Sequence, residues 1–456
     1  MTFMRLFESI LLLILVVLIY QLVFSKQKNV QPLHLLLFAL LLAVAHFMVE
    51  GYRWQMVPAY FSFGILYLRV KIGELKFTSR FNKITWGLGM VFAISLPFAV
   101  PVMNLPEPAG HYIIGTKIYQ WSDSSRMEWF TAEDEDPDDV RELVVQVWYP
   151  AKTETGKPMP YLNNLNLRID ALGGAGDFPG FLASHIDLVK THSFLNAPFF
   201  PEKQFPLLIL SHGITGFRQM HTALIEELTS NGYVVVAPDH TYDCNLTIFP
   251  DGHTADYRSD ITGDPDSVNI RRQQLNTRVA DIKFILDRLI VTGEFNKIIN
   301  FEKVGVLGHS YGGSTAIQTA FEDDRFKAVL TLDSWMNPIP EHIIQRGILQ
   351  PFLHLGRSSW DDSDYPTSPA MLEQFLAKLN GEKFHYILQG ARHLDFSDSP
   401  LFSPFSDLIL ETGSVAAEKA VLQTNAVALS FFDQYLKNNE SQIPENLSGY
   451  SELLMQ

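Results

Sequence analysis

The sequence predicts an α/β fold with a mostly parallel central sheet, preceded by a bundle of about four transmembrane helices. Four long apolar runs lie within the first 104 residues. After them, short apolar runs of strand length alternate with longer segments of helical periodicity, which is typical of a parallel sheet covered on both faces. Within this alternation, a Gly-x-Ser-x-Gly motif at residues 308–312 separates a strand from a helix.

The four apolar runs occupy residues 6–24, 33–49, 54–68 and 84–103. A helix needs about 20 apolar residues to cross a bilayer, and the third run is the shortest. Positive charge determines the expected orientation, since loops rich in Lys and Arg stay in the cytoplasm. The loop at 69–83 carries five such residues, and Lys26 and Lys28 fall on the same side if there are four spans. We therefore expect an integral membrane protein with everything after residue 104 on the non-cytoplasmic side.

Charge separates the chain into two regions. The net charge is −15, but the first 104 residues hold nine Lys or Arg against three Asp or Glu, which gives +6 there and −21 in the remainder. We predict a transmembrane helical region at 1–104 and a catalytic domain at 105–456. The acidic second region argues against nucleic acid as a partner. Cys244 is the single cysteine, so the sequence provides no internal disulfide and no cysteine-based metal site.

The second region is predicted to alternate strands and helices, with two irregular insertions. Residues 151–204 lack clear periodicity, and we expect them to cover one end of the sheet; residues 241–269 form the second insertion. The acidic run at 133–139 is expected to form a solvent-exposed turn. Strands are predicted at 112–121, 143–149, 207–210, 233–237, 304–307, 327–332, 352–355 and, as the last, 384–388; helices are predicted at 219–230, 270–290, 369–379 and 415–436.

Ser310 is the candidate nucleophile. It lies at the centre of the Gly-x-Ser-x-Gly motif, where a sharp turn between strand and helix holds the serine in a strained conformation. The neighbours two positions away must be nearly free of side chain so that strand and helix can pass, and Gly308 and Gly312 meet this need. A Gly-rich turn that only packs would show the same residues.

A serine nucleophile requires a base, and the base requires a carboxylate that orients it. His393 is the candidate base, since it follows the last predicted strand within a loop. His354 and His385 lie inside predicted strands, and His309 is expected to point away from Ser310. Two places remain open for the acid: Asp333, directly after the strand 327–332, and the pair Asp361 and Asp362, a few residues past the next strand.

The oxyanion hole requires two backbone N–H groups directed at the developing charge. We expect one from Tyr311, the residue after the nucleophile, and the other from Ile214, in the Gly-containing loop that follows the strand 207–210. Asp239 and His240 end another strand, where a structural role is the preferred interpretation. The sequence shows no metal constellation and no phosphate loop, so no cofactor is expected.

Five blocks in this order resemble the platelet-activating-factor acetylhydrolases of the plasma and intracellular type II kind. The blocks are residues 143–150, 211–218, 308–313 and 332–338, and His393 followed by 396–398. The resemblance covers about residues 112–436 and none of the membrane region. It implies an α/β-hydrolase fold and calcium-independent cleavage of short or oxidised sn-2 acyl chains. It also maps the nucleophile to Ser310, the acid to Asp333, the base to His393 and the oxyanion donors to Ile214 and Tyr311. The chain departs from the family at Tyr311, where Phe is usual.

Together these observations predict a membrane-anchored serine esterase. The expected partners are a small ester or phospholipid substrate and the lipid bilayer, with no obligate protein partner evident. A general carboxylesterase or polyester hydrolase, a thioesterase and a peptidase would use the same residues. A non-catalytic membrane receptor on a hydrolase scaffold is the alternative from another class.

Overall fold

The fold is taken from a computed structural model, which describes residues 4–25, 31–73, 79–131, 136, 138–200, 203–361, 365–438 and 443–456. Side chains 444 and 445 are not described. Some predicted features therefore lie outside the described residues: Lys26, Lys28, Lys76, Asp362 and most of the acidic run at 133–139.

The N-terminal region forms a helix at each of the four predicted apolar runs. These are α1 (Leu6–Ile19, continued by a wider turn at Tyr20–Phe24), α2 (Pro32–Val49), α3 (Val57–Ile72) and α4 (Arg80–Ala99), with a short turn of helix at Trp54–Met56. Among the described helices, Leu6–Phe24 and Pro32–Val49 have the length and apolarity to cross a membrane, a property that signal sequences and buried core helices share. The four-span arrangement stays a prediction.

The rest of the chain is organised around a sheet that has eleven strands within the described residues. The strands are β1 (Ile113–Met127), β2 (Val140–Ala151), β3 (Lys157–Pro160), β4 (Lys190–Leu195), β5 (Phe205–Ser211), β6 (Val234–Asp239), β9 (Ile299–His309), β10 (Phe326–Leu332), β11 (Phe352–Gly356), β12 (Lys383–Leu388) and β13 (Leu453–Met455), and a separate hairpin pairs β7 (Leu246–Ile248) with β8 (Thr254–Asp256).

The order of the strands in the sheet is β13-β12-β11-β10-β9-β5-β6-β2-β1-β4-β3. The six strands from β12 to β6 in this order are parallel to one another. The predicted α/β fold with a mostly parallel sheet is confirmed.

Helices cover both faces of the sheet because the central strands are apolar on both sides. On β5, Leu207 and Ile209 pack into one buried cluster, while Leu208 and Leu210 pack into the cluster on the opposite face. This alternation follows the period of two of a strand. The helices are α5 (Leu165–Ala175), α6 (Thr222–Ser230), α7 (Ser267–Thr292), α8 (Tyr311–Glu322), α9 (Glu341–Arg346), α10 (Ser368–Lys378), α11 (Ser406–Ile409), α12 (Ala417–Leu436) and α13 (Ile443–Leu447), with single-turn or 3-10 segments at Gly180–Leu188, His393–Phe396 and Ser399–Phe402.

The structure contains strands that the sequence-based prediction did not include. The hairpin of β7 and β8 lies in the predicted irregular insertion 241–269, and two further differences concern the main sheet. The segment 151–204 contributes β3 and β4 to the edge of the sheet, besides α5. Its strands are short and one contains two prolines, so they carry no clear alternation. The predicted last strand at 384–388 is also followed by β13, which pairs with it antiparallel through three residues. A strand of three residues is too short to show a period.

Candidate active site

A sharp turn between β9 and α8 places Ser310 at the carboxyl edge of the sheet. Ser310 has φ 57° and ψ −120°, a strained conformation for a residue with a side chain. A Cβ atom on Gly308 would lie 2.0 Å from the carbonyl oxygen of Gly312, and one on Gly312 would lie 1.9 Å from that of Ser211. The two glycines are therefore required by the close approach of backbone to backbone.

Ser310, His393 and Asp333 lie in hydrogen-bonded series, although they come from the ends of three different strands. His393 Nε2 is 2.9 Å from Ser310 Oγ, and His393 Nδ1 is 2.6 Å from Asp333 Oδ2. A carboxylate only accepts, so Nδ1 carries the proton and donates to Asp333. Nε2 is then free to accept the proton of the Ser310 hydroxyl, which is the arrangement that activates a serine.

Asp333 occupies the position after β10 in a rigid setting. It is fully buried, has φ 41°, and its backbone N donates to the carbonyl oxygen of Leu355 at 2.8 Å. Arg357 donates from its backbone N to Oδ1 at 3.1 Å and pairs through Nε with Oδ2 at 3.2 Å. Burial opposes ionisation, but the hydrogen bond from His393 and the charge of Arg357 hold the pKa of Asp333 below its usual range.

The rival acid lies elsewhere. Asp361 is exposed, and its backbone N donates to Ser359 Oγ at 3.0 Å. Its partner Asp362 lies outside the described residues. Of the two positions left open by residue order alone, the structure brings Asp333 to His393.

His309 was expected to point away from Ser310, and the structure places its ring against His393. The ring of His309 lies 4.7 Å from that of His393, and its Nε2 donates to the backbone carbonyl of His393 at 2.9 Å. Burial, followed by the neighbouring rings of His393 and His221, holds the pKa of His309 well below its usual range, so the ring stays neutral. No local sequence pattern indicates this contact, because the two residues are 84 positions apart.

Ile214 and Tyr311, the two expected oxyanion donors, flank the nucleophile. A Cβ atom on Gly213 would lie 3.2 Å from Ser310 Cβ, which places the Gly213–Ile214 peptide directly beside the serine. Tyr311 follows Ser310 as the first residue of α8. Within the described part of the chain, neither backbone N–H donates a hydrogen bond to a protein group. Two adjacent N–H groups without partners fit an oxyanion hole.

Aromatic side chains that the sequence analysis did not identify surround the series of Ser310, His393 and Asp333. Trp335 lies 5.3 Å from the ring of Tyr311, and Trp360 lies edge-on 5.8 Å from the ring of His393. Ile214 packs against the same cluster, which also contains Leu275 and Val279 of α7. The site is therefore apolar around the reacting atoms, which strengthens hydrogen bonds to charge developing there.

A second Ser-His-Asp series lies deeper in the protein. Ser211 Oγ is 2.9 Å from His240 Nε2, and His240 Nδ1 is 2.9 Å from Asp281. All three side chains are completely buried. Since no substrate can reach Ser211, this series ties the ends of β5 and β6 to α7, in agreement with the structural role expected for His240. By contrast, the side chain of His393 is 17% exposed to solvent.

One buried group of potential metal ligands lies near the site. His212, Asp239 and Cys244 lie close together. However, His212 Nδ1 donates to the carbonyl of Gly213 at 2.6 Å and Nε2 accepts from the backbone of His240 at 3.1 Å. Asp239 pairs with Arg218. The ligand atoms are therefore already used by the protein.

Comparison with known proteins points to one family. The family model described as platelet-activating factor acetylhydrolase, isoform II, matches residues 103–453. A platelet-activating factor acetylhydrolase from Cavia porcellus is 28% identical over 289 residues, covering 58% of this chain and 65% of the relative. A probable 1-alkyl-2-acetylglycerophosphocholine esterase from Arthroderma benhamiae is 25% identical over 200 residues, covering 43% of this chain and 49% of the relative.

Among solved structures, a ferulic acid esterase from Streptomyces cinnamoneus superposes with a TM-score of 0.65 at 29% identity, covering 78% of this chain and 99% of that one. The chain spans less than two thirds of the length of the curated relatives it matches. The family match nevertheless covers well over half of this chain. The chain therefore belongs to the family of platelet-activating factor acetylhydrolase, isoform II.

Proposed function

We propose that this protein is a membrane-anchored serine esterase that hydrolyses short or oxidised sn-2 acyl chains of phospholipids. The observation that carries the proposal is the series Ser310, His393 and Asp333, in a chain of this family. The names of the relatives support the substrate class, since they include platelet-activating factor acetylhydrolase and 1-alkyl-2-acetylglycerophosphocholine esterase.

The proposed reaction proceeds through an acyl-enzyme. Ser310 Oγ attacks the ester carbonyl carbon while His393 Nε2 takes the hydroxyl proton, and Asp333 stabilises the imidazolium through Nδ1. The N–H groups of Ile214 and Tyr311 hold the negative oxygen of the tetrahedral intermediate. The intermediate expels the glycerol oxygen, which takes the proton from His393 and leaves as the lysophospholipid. Water, deprotonated by His393, then releases the carboxylate and regenerates Ser310.

The helical region supports a membrane location for this reaction because it packs against the catalytic domain, including the segment that follows His393 in sequence. Trp54 Nε1 donates to the carbonyl of Leu182 at 3.0 Å, and Ser403 Oγ donates to that of Ala99 at 2.7 Å. Ser403 comes only ten residues after His393. We propose four spans within residues 1–104, with the catalytic domain 105–456 outside the cytoplasm, so that the site faces lipid at the bilayer surface.

The substrate class is tested by turnover of phosphatidylcholines with graded sn-2 chains, from acetyl to palmitoyl, by purified full-length protein in detergent. We expect kcat/KM to fall as the chain lengthens beyond a few carbons. Equal rates across the series would contradict the proposed preference, and Ser310→Ala supplies the inactive control.

The topology is tested with one introduced cysteine. Cys244 is fully buried and should not react, whereas residue 297 is exposed. We expect Lys297→Cys to be labelled by a membrane-impermeant maleimide on intact cells. Labelling only after permeabilisation would place the catalytic domain in the cytoplasm.

A general carboxylesterase is the second candidate function, favoured by the similarity to the ferulic acid esterase along 99% of that chain. Turnover of aryl and alkyl esters with no activity on phospholipids would support it. The alternative of a receptor without catalysis predicts that Ser310 does not react with a fluorophosphonate.

A further inference from the structure

Arg278 of α7 is fully buried and donates hydrogen bonds to the loop that carries Ile214. Its Nη1 donates to the carbonyl oxygen of His212 at 2.6 Å, and its Nη2 donates to that of Gly213 at 3.3 Å. Its Nε pairs with the buried carboxylate of Asp243. Asp243 contacts the same loop, since its backbone carbonyl accepts from Thr215 N at 3.2 Å. One ion pair therefore holds the loop on both sides of Ile214.

The carbonyl of Gly213 determines where the N–H of Ile214 points. The two groups belong to one peptide, and in a planar trans peptide they point in opposite directions. Three donors hold this carbonyl: Arg278 Nη2, His212 Nδ1 at 2.6 Å and Gly216 N at 3.1 Å. Because all three lie on the carbonyl side, the N–H is fixed on the opposite side of the peptide.

The same guanidinium also contacts the other half of the site. It lies over the ring of Tyr311, 4.6 Å from the ring centre. The Tyr311 hydroxyl donates to the backbone carbonyl of Arg271 at 2.7 Å, and Arg271 lies on α7 like Arg278, nearer the start of the helix. The departure from the family at Tyr311 thus adds a hydrogen bond that attaches α8 to α7. A Phe at this position would keep the ring contact and lose the bond.

We propose that Arg278, paired with Asp243, is a positioning residue that preorganises the oxyanion hole by fixing the Gly213–Ile214 peptide and the Tyr311 ring relative to each other. The inference rests on the proposed function, because it assigns a role for Arg278 in the same reaction. Arg278 does not touch substrate. Its effect is on the direction of the two donors, which must be in place before negative charge develops.

The test compares an ester substrate with its thionoester, in which sulfur replaces the carbonyl oxygen and accepts hydrogen bonds poorly. An enzyme that uses an oxyanion hole prefers the oxygen compound strongly, and this preference shrinks as the hole is lost. For Arg278→Lys we expect kcat on the oxygen ester to fall about 10- to 100-fold, less than the loss of about 10²- to 10³-fold when one oxyanion donor is removed outright, because the donor is misdirected rather than absent. The oxygen-to-sulfur rate ratio should fall by a similar factor, with KM changed less than about threefold.

The matched control is Arg53→Lys. Arg53 is also buried, pairs with the carboxylate of Glu8 and donates to the carbonyl of Val100, and none of its described contacts reaches residues 212–214 or their hydrogen-bond partners. We expect a loss of thermal stability comparable to that of Arg278→Lys, with the oxygen-to-sulfur ratio unchanged. Asp243→Asn keeps the size of the side chain but removes the charge that pairs with Arg278. This second variant should also lower the oxygen-to-sulfur rate ratio.

The outcomes separate the two proposals. A folded Arg278→Lys or Asp243→Asn protein with the wild-type ratio would overturn the role of Arg278 while leaving the esterase intact. An equal fall of the ratio in Arg53→Lys would also overturn it, since the effect would then be general destabilisation. Wild-type protein without ester turnover would overturn the proposed function itself.

Discussion

His309 donates a hydrogen bond from Nε2 to the backbone carbonyl of His393 at 2.9 Å, and its ring lies against the ring of His393. The residue before the nucleophile thus supports the residue that activates it. Because His309 precedes Ser310 in the chain, the turn that positions Ser310 also positions the support for His393.

We expect His309→Phe to lower kcat about fivefold with KM nearly unchanged. Phe keeps an aromatic ring but removes the donor, and one net hydrogen bond of about 1 kcal/mol corresponds to nearly this factor. Steady-state kinetics on a soluble ester measures it. His309→Gln, which restores an N–H donor, should recover part of the loss, and full activity in His309→Phe would show that the bond does not matter.

We expect Asp333→Asn to lower kcat by about 10³- to 10⁴-fold, because an amide cannot hold the required tautomer of His393 or stabilise its charge. The protein should remain folded by circular dichroism. Asp361→Asn is the matched control, since Asp361 is exposed, and should behave as wild type. The reverse ranking of the two variants would move the acid to the later loop.

We expect His221 to make the protein less stable in acid. Burial lowers the pKa of His221 to about 4, and among the described residues neither ring nitrogen has a hydrogen-bond partner. The unfolded chain, with a pKa of about 6.5, binds a proton between pH 6.5 and 4 that the folded protein does not bind. Stability therefore falls as pH decreases through this window, by up to about 3 kcal/mol from this one group.

The measurement is the urea midpoint of wild type and His221→Phe from pH 7 to pH 4.5. The variant should lose less stability over this range. His111→Phe removes an exposed histidine and should follow the wild-type profile. Parallel curves for wild type and His221→Phe would contradict the argument.

We expect Gly312→Ala to destabilise the protein by about 3 kcal/mol or more, because the added methyl would overlap the backbone of Ser211 and the chain cannot yield cheaply there. Gly174→Ala is the control. Gly174 lies in α5, with no atom within 4 Å of an added Cβ, so the substitution should be neutral or slightly stabilising. Thermal denaturation of both variants tests this, and equal melting temperatures would count against the steric account of the turn.

The local parts of the site were predictable from sequence because their geometry depends on residues that are close together in the chain. The turn at Ser310 needs its glycines within two positions, and Asp333 directly follows its strand. The contacts between distant segments were not predictable. Arg278 and Asp243 are 35 positions apart, and the pairing depends on how α7 packs against the loop after β6. Nothing in the local pattern of either residue shows it.

The edge of the sheet shows the same limit. The strands β3 and β4 are short and irregular, and they become strands through pairing with each other and with β1. Such strands are determined by tertiary contacts rather than by their own alternation. The regular central strands β5, β6, β9, β10, β11 and β12 were all predicted, and the largest error at an end is the start of β9, at Ile299 instead of residue 304.

The most direct test of the central claim is mass spectrometry of the full-length protein after reaction with a fluorophosphonate, with the modified peptide sequenced. We predict a single adduct on Ser310, none on the buried Ser211, and no labelling or ester turnover in Ser310→Ala. An adduct on another serine, or ester turnover that persists in Ser310→Ala, would contradict the assignment of Ser310 as the nucleophile.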